Sequence, residues 1–345
     1  MTGGITIGVD LGGTKIEIAA LKLDARLHAS GPHPAGPSAS ASSTSSASTA
    51  VPDVVARRRI PTHRERGYDA VLEETATLIE SFAAELGLDL RHTPLGVGMP
   101  GSITRAGLIK NANTVCLNGR PFRTDLEARL RRPTAFDNDA NCFALAEAFL
   151  GAAAPYRDGV VFGVIMGTGV GGGLVLHGRP WPGPQGIAGE WGHHGVYADR
   201  GAPCYCGQRG CLEQYISGPA VEADYAQRAG TARHLDEIAA RRDHDPHAQA
   251  ALDTFLDAYG RGLANLIDIL DPSAVVLGGG VSQLDLLYDE GRARVARYVF
   301  NDELSTPILR NALGDSAGVI GAALLGAAKA DACSSPPSSR DPSPR

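Results

Sequence analysis

Gly4-Ile5-Thr6-Ile7-Gly8-Val9-Asp10-Leu11-Gly12-Gly13-Thr14-Lys15-Ile16-Glu17-Ile18-Ala19-Ala20-Leu21 carries two short apolar runs joined by a glycine turn. Residues 4–9 alternate as a strand and 16–21 read as its return, so the stretch predicts a β-hairpin. Two adjacent glycines let backbone N–H groups come close to phosphate oxygens. Thr14 adds a hydroxyl donor, Lys15 a positive charge, and Asp10 a carboxylate that can hold Mg²⁺ directly or through water. Asp and Gly are equally ordinary in a plain hairpin turn, so the rest of the chain has to decide what this turn does.

Outward from the hairpin, strands alternate with helices, which predicts an α/β class. Apolar residues at Val71, Leu72, Leu78, Ile79, Phe82 and Leu86 predict a helix over 69–86, ended at Gly87. Strands are expected at 95–99, 160–165, 174–176 and 274–277. Helices are expected at 140–150, 247–270 and 316–329. Between about Ala29 and Ala50 the chain turns to Ser, Ala, Pro and Thr, a composition that cannot bury apolar area and reads as a disordered insertion.

The 345 residues suit two domains at roughly 150 residues each. The formal net charge of −6 argues against a nucleic-acid or membrane-surface binder, which is usually basic. No apolar run is long enough to span a membrane. The N-terminus lacks a basic region before its first strand, so the cytoplasm is the expected compartment.

Three cysteines crowd into Cys204-Tyr205-Cys206-Gly207-Gln208-Arg209-Gly210-Cys211, with His193 and His194 just upstream. One histidine and three thiolates complete a closed tetrahedral zinc site, with no position left for a substrate water. Cys116, Cys142 and Cys333 read as plain side chains.

A second glycine loop, Gly167-Thr168-Gly169-Val170-Gly171-Gly172-Gly173, matches G-x-G-x-x-G in form. A dinucleotide fold needs a helix directly after those glycines. Here Leu174-Val175-Leu176 reads as a strand, so NAD is rejected. No Gly-Lys-Ser/Thr of a Walker loop occurs. Gly278-Gly279-Gly280 after a buried strand leaves room for a flat adenine ring. Asp139, in Asp137-Asn138-Asp139-Ala140-Asn141, stands at a strand-to-helix junction, where a carboxylate can reach into a cleft and serve as a base. The competing reading is a helix cap, where Asp is common.

Together, the D-L-G-G-T hairpin, the G-T-G loop and the late strand ending in glycines resemble the actin/Hsp70/sugar-kinase superfamily, with its ribonuclease H-like fold. The Cys-x-Cys-Gly-x-x-Gly-Cys-x-Glu run narrows the resemblance to the ROK family (repressors and sugar kinases). It implies an N-terminal ATP/sugar domain over 1–133, interrupted by a disordered insertion at 29–56. A larger C-terminal domain over 134–315 would carry the zinc motif 193–211. A closing helix at 316–330 would pack back on the N-terminal domain, followed by a disordered tail at 331–345. The lobes would flank a cleft that closes on sugar and ATP.

By the same resemblance Gly12, Gly13, Thr14 and Lys15 form the first phosphate loop, Gly167, Thr168 and Gly169 the second, and Gly279 and Gly280 the adenosine site. The zinc ligands are His193, Cys204, Cys206 and Cys211. Asn113, Asn138, Glu190, His193 and Glu213 match sugar-contacting positions, and Asp139 the base. The segments 97–103, 111–113, 117–122 and Pro203–Cys206 are most similar to bacterial fructokinases acting on fructose and mannose. N-acetylglucosamine kinases come second and glucokinases third. The implied cofactors are ATP, Mg²⁺ and a structural Zn²⁺, and the implied assembly is a homodimer. A sugar-sensing ROK regulator without catalysis is the reading from another class. Such regulators carry an N-terminal helix-turn-helix domain, for which a core strand near residue 4 leaves no room.

Overall fold

The computed structural model describes residues 4–23, 53–197 and 201–334. The first half begins with the expected hairpin, β1 (Ile5–Leu11) and β2 (Lys15–Lys22), which pairs Val9 with Ile18 and Asp10 with Glu17. Then come β3 (Asp53–Pro61), α1 (Tyr68–Glu85), β4 (Leu95–Met99), the short β5 (Ser102–Ile103) and β6 (Ile109–Lys110), α2 (Phe122–Leu130), β7 (Ala135–Asn138) and α3 (Asp139–Leu150). The second half holds β8 (Val160–Met166), β9 (Val170–Leu176), β10 (Arg179–Pro180), α4 (Glu213–Ile216), α5 (Gly218–Ala229), α6 (Leu235–Arg241), α7 (Pro246–Leu270), β11 (Ala274–Gly278), α8 (Glu290–Tyr298), β12 (Ile308–Arg310) and α9 (Ala317–Ser334).

These strands form two five-stranded sheets of the same design. One runs β3-β2-β1-β4-β7 and the other β10-β9-β8-β11-β12. In each, an antiparallel hairpin leads and two parallel strands follow on the hairpin's first strand. The β1–β2 turn and the β8–β9 turn are therefore equivalent places in two copies of one layout, and both glycine loops sit there.

Each sheet has its own apolar core. A third core forms where the closing helices cross: α3 packs on β8 and β9, α9 packs on β1 and β4, and the two helices pack on each other. This crossing explains much of the glycine. A methyl on Gly8 or Gly96 would overlap the α9 backbone, one on Gly173 the α3 backbone, and one on Gly321 the carbonyl of Cys142.

Three expectations move. A boundary at 133/134 puts Ala135–Asn138 in the second domain, yet this stretch is the edge strand of the first sheet, paired in parallel with β4 from Gly96↔Ala135 to Met99↔Asn138. The first sheet thus ends at Asn138. Residues 53–56, expected within the insertion over 29–56, instead open β3, where Asp53 pairs with Lys22; 24–52 lie outside the described residues. The tail expected from 331 is helical to Ser334, where α9 ends; 335–345 lie outside the described residues.

Candidate active site

Asp139 opens α3, and Asn138 caps it: the Ala140 N–H donates to Asn138 Oδ1 at 2.8 Å. The cap is thus Asn138, with Asp139 Oδ1 a second acceptor for the same N–H at 2.9 Å. Asp139 lines a cavity of about 1020 Å³ between the two sheets. Burial pushes its carboxyl up to about 6, with the Ala140 N–H pulling it down and the charge of Glu190 adding to the rise. Asp137 is differently employed, accepting from Asn138 N at 2.8 Å and from Asn141 Nδ2 at 2.7 Å.

Eight of the other expected residues line the same cavity: Asn113, Asn138, Gly167, Thr168, Gly169, Glu190, His193 and Glu213. Asn138 Nδ2 donates to the Gly101 carbonyl at 2.9 Å, which leaves one amide N–H for a ligand. Asn118 holds the Asn113 loop by bonding both the N–H and the carbonyl of Ala112, at 2.8 and 3.0 Å.

Glu190 and His193 reach the cavity because Gly189 and Gly192 let their turn lie flat on β9. A methyl on Gly189 would overlap the Gly172 carbonyl, and one on Gly192 the Val170 carbonyl. Trp191 Nε1 then donates to the Gly171 carbonyl at 2.8 Å. Burial raises the Glu190 carboxyl, His193 lowers it and Glu213 raises it again. Glu213, buried, accepts the Val170 N–H at 2.8 Å and so ties the cysteine run to the second glycine turn.

The four expected metal ligands come together. Donor atoms of His193, Cys204, Cys206 and Cys211 all lie within 4.8 Å of one another. His193 Nδ1 is 3.6 Å from Cys204 Sγ, and Cys206 Sγ is 3.5 Å from Cys211 Sγ. His194 is turned away, its Nδ1 donating to the Trp191 carbonyl. Three thiols and an imidazole nitrogen are a donor set that suits a closed zinc site. His193 Nε2 points the other way, 3.0 Å from Tyr205 Oη.

Asp10, Gly12, Gly13, Thr14, Lys15, Gly279 and Gly280 are not among the lining residues. A methyl on Gly13 would stand 3.2 Å from Asn113 Oδ1. Lys15 Nζ lies 4.0 Å from both Glu17 and Asp315. Asp10 sits against the start of α9, where a methyl on Gly318 would meet its Oδ2 at 2.6 Å. Burial pushes Asp10 up to about 7, with the charges of Asp139 and Glu17 adding to the rise and Lys15 and Arg59 opposing it. Gly279, at φ 80°, lies against the backbone of Met166, beside the second turn. A carboxylate in a cavity lined by the second glycine turn, with amide and carboxylate groups around it, can take a proton from a bound hydroxyl.

The sequence profile of the ROK family matches residues 46–329. The chain belongs to the ROK family. This ROK protein is 34% identical over 332 residues to an N-acetyl-D-glucosamine kinase of Aliivibrio fischeri, an alignment covering 92% of this chain and 98% of the relative. Its fold is similar to the ROK hexokinase of Thermus thermophilus, at a TM-score of 0.74 and 32% identity, covering 93% of this chain and 97% of the other. A ROK glucokinase of Streptomyces griseus, solved with glucose and AMPPNP, is similar at 0.69 and 27%, with 93% and 98% covered. The chain is a ROK family sugar kinase. Among the described residues, no helix is long and apolar enough to cross a membrane.

Sequence reasoning missed Val115 and Lys110 on the cavity wall, and named Tyr205 and Asn111 within the compared segments without giving either a role. Tyr205 stood between two named ligands, which was a usable signal. Val115 carried none.

Proposed function

We propose that this ATP-dependent sugar kinase transfers the γ-phosphoryl group to the 6-hydroxyl of a hexose, with Asp139 as general base. The observation that carries the reading is the shared cavity: Asp139, the Gly167–Gly169 turn, and Asn113, Asn138, Glu190, His193 and Glu213 line one space. Glu190 and Glu213 accept from sugar hydroxyls, His193 Nε2 and Asn138 Nδ2 donate to them, and Asp139 takes the proton of the attacking one. Gly12, Gly13, Thr14 and the second turn hold the phosphates, Gly279 and Gly280 flank the adenosine, and Asp10 would hold Mg²⁺, which neutralises phosphate charge. His193 Nδ1 and the thiolates of Cys204, Cys206 and Cys211 would hold Zn²⁺, whose closed shell fixes the sugar-binding turn. In this reading residues 1–138 and 139–315 act as two lobes, with α9 returning to the first.

For the hexose we propose D-fructose, with mannose also accepted. The segments that resemble fructokinases supply much of the wall: Pro100, Gly101, Asn111–Asn113, Asn118, Gly119 and Tyr205 all line the cavity. N-acetyl-D-glucosamine is the second reading, favoured by relatives such as the 34% identical kinase above. A coupled ADP-release assay across fructose, mannose, N-acetylglucosamine and glucose decides between them. The expected result is the highest kcat/KM with fructose; a clear lead for N-acetylglucosamine overturns the fructose assignment. The family resemblance also supports a cytoplasmic homodimer, which sedimentation tests.

A further inference from the structure

We propose that Arg64 is the cation that grips the phosphoryl group during transfer. The placement begins at Thr62, which is fully buried and fastens the end of β3 to the first glycine turn. Its N–H donates to the Thr14 carbonyl at 3.1 Å and its Oγ1 to the Gly12 carbonyl at 2.8 Å. His63 follows in the left-handed region at φ 44°, and Arg64 opens a single 3-10 turn, Arg64–Arg66. The guanidinium then lies over the turn: Arg64 Nη1 is 3.5 Å from where a methyl on Gly13 would stand. It also donates to the Asn113 carbonyl at 3.4 Å. One side chain thus spans the phosphate turn and the loop that brings Asn113 to the cavity.

Its neighbours show why this arginine differs. Arg57 and Arg59 are held by Glu17, Arg58 by Glu85, and Arg66 by Glu74. Lys15, the cation the motif points to, stands between Glu17 and Asp315. Among the described residues, no carboxylate pairs with Arg64, whose hydrogen bond goes to a backbone carbonyl. A guanidinium keeps its charge at any working pH, and its planar fork fits two phosphoryl oxygens at once.

In the reaction, the bond from the γ-phosphorus to the ADP oxygen breaks and a bond to the hexose oxygen forms. The hydroxyl proton passes to a carboxylate, Asp139 in the reading above. Arg64 keeps its own protons and donates to the equatorial phosphoryl oxygens, where charge spreads in a loose transition state. The inference rests on ATP-dependent phosphoryl transfer to a sugar and is independent of which hexose is taken.

The test uses the full chain and the hexose that the wild type turns over best. Arg64→Ala is expected to lower kcat about 100-fold or more, the range lost when a transition-state donor or arginine is removed. Hexose affinity without nucleotide, read by calorimetry, stays unchanged. Arg64→Lys recovers only part of the rate, because an ammonium cannot form the fork. Guanidinium ion added to Arg64→Ala raises its kcat. An unchanged kcat in Arg64→Ala overturns the proposal and leaves the kinase reading standing. So does a loss of hexose affinity that accounts for the whole loss in kcat/KM, since Arg64 would then only brace the Asn113 loop.

Discussion

Asp10 and Glu17 face each other across the β1–β2 register, and the second, buried carboxylate gathers Arg59 at 2.7 Å and Arg57 at 3.7 Å behind the first. The glycine turn of the hairpin is therefore backed by a charged cluster against the start of α9, where Ser316 Oγ lies 3.3 Å from Glu17. Asp139 lines the cavity with Glu190 and Glu213, and the first predictions concern it.

Asp139→Asn keeps the shape of the side chain and removes its basicity. A general base contributes about 10²–10⁴ in rate, so kcat is expected to fall by about that factor. Hexose affinity, measured by calorimetry, stays close to wild type. A variant retaining most of its turnover would remove Asp139 from the role of base.

The pH profile follows from the direction of the same shift. Burial pushes Asp139 up to about 6 and Asp10 up to about 7. A base works only when deprotonated, so kcat/KM falls as pH drops through this range and levels off above it. Two interacting carboxyls titrate as a pair, so the acid limb belongs to both. A profile flat down to pH 5 would contradict it.

Cys206→Ser should release zinc, read by metal analysis of the purified protein. His193 and Glu213 flank the cysteine run, so hexose affinity falls together with thermal stability. A loss of about 2 kcal/mol would lower Tm by roughly 5 °C in a domain of this size. Wild-type protein purified free of zinc would remove the metal from the account.

Glu147 is fully buried and satisfies four backbone contacts: Ala152 N at 2.8 Å, Ala312 N at 3.1 Å from both oxygens, and Leu313 N at 2.9 Å. It fastens the segment that leads into α9. Glu147→Ala orphans those three N–H groups and should cost about 3–5 kcal/mol in all, at roughly 1–3 kcal/mol for each buried donor left unpaired. Denaturant unfolding reads the loss.

Gly279→Ala places a methyl against the Met166 carbonyl at a φ of 80°. Strain of this kind costs about 1–3 kcal/mol. Because Met166 leads into the second turn, the expected effect is a raised KM for ATP with hexose affinity unchanged, and steady-state kinetics separates the two.

Local pattern carried the reading wherever the signal lies within a few residues. The hairpin at 4–21, the long amphipathic helix Pro246–Leu270 and the crowding of Cys204, Cys206 and Cys211 all follow from periodicity or spacing. Pattern misled where glycine had a tertiary cause. Gly171, Gly172 and Gly173 read as loop, yet they are strand residues of β9, small because Trp191 and the α3 backbone lie against Gly172 and Gly173. Nothing local marked Ala135–Asn138 as the edge of the first sheet, because its partner strand lies some forty residues earlier.

The amino-acid order by itself determined the strand and helix types, the two glycine turns, the thiol cluster and the Asn138-Asp139 junction, because each is decided by backbone geometry or side-chain chemistry over a short span. Tertiary structure alone decided which of those groups share a space. Only the crossing of α3 and α9 between the sheets brings Asp139 and the second turn into one cavity. Only the fastening of Thr62 to Gly12 and Thr14 sets Arg64 over Gly13. Contacts between distant segments form because packing and hydrogen bonding close the chain on itself, and no short window of sequence records that closure.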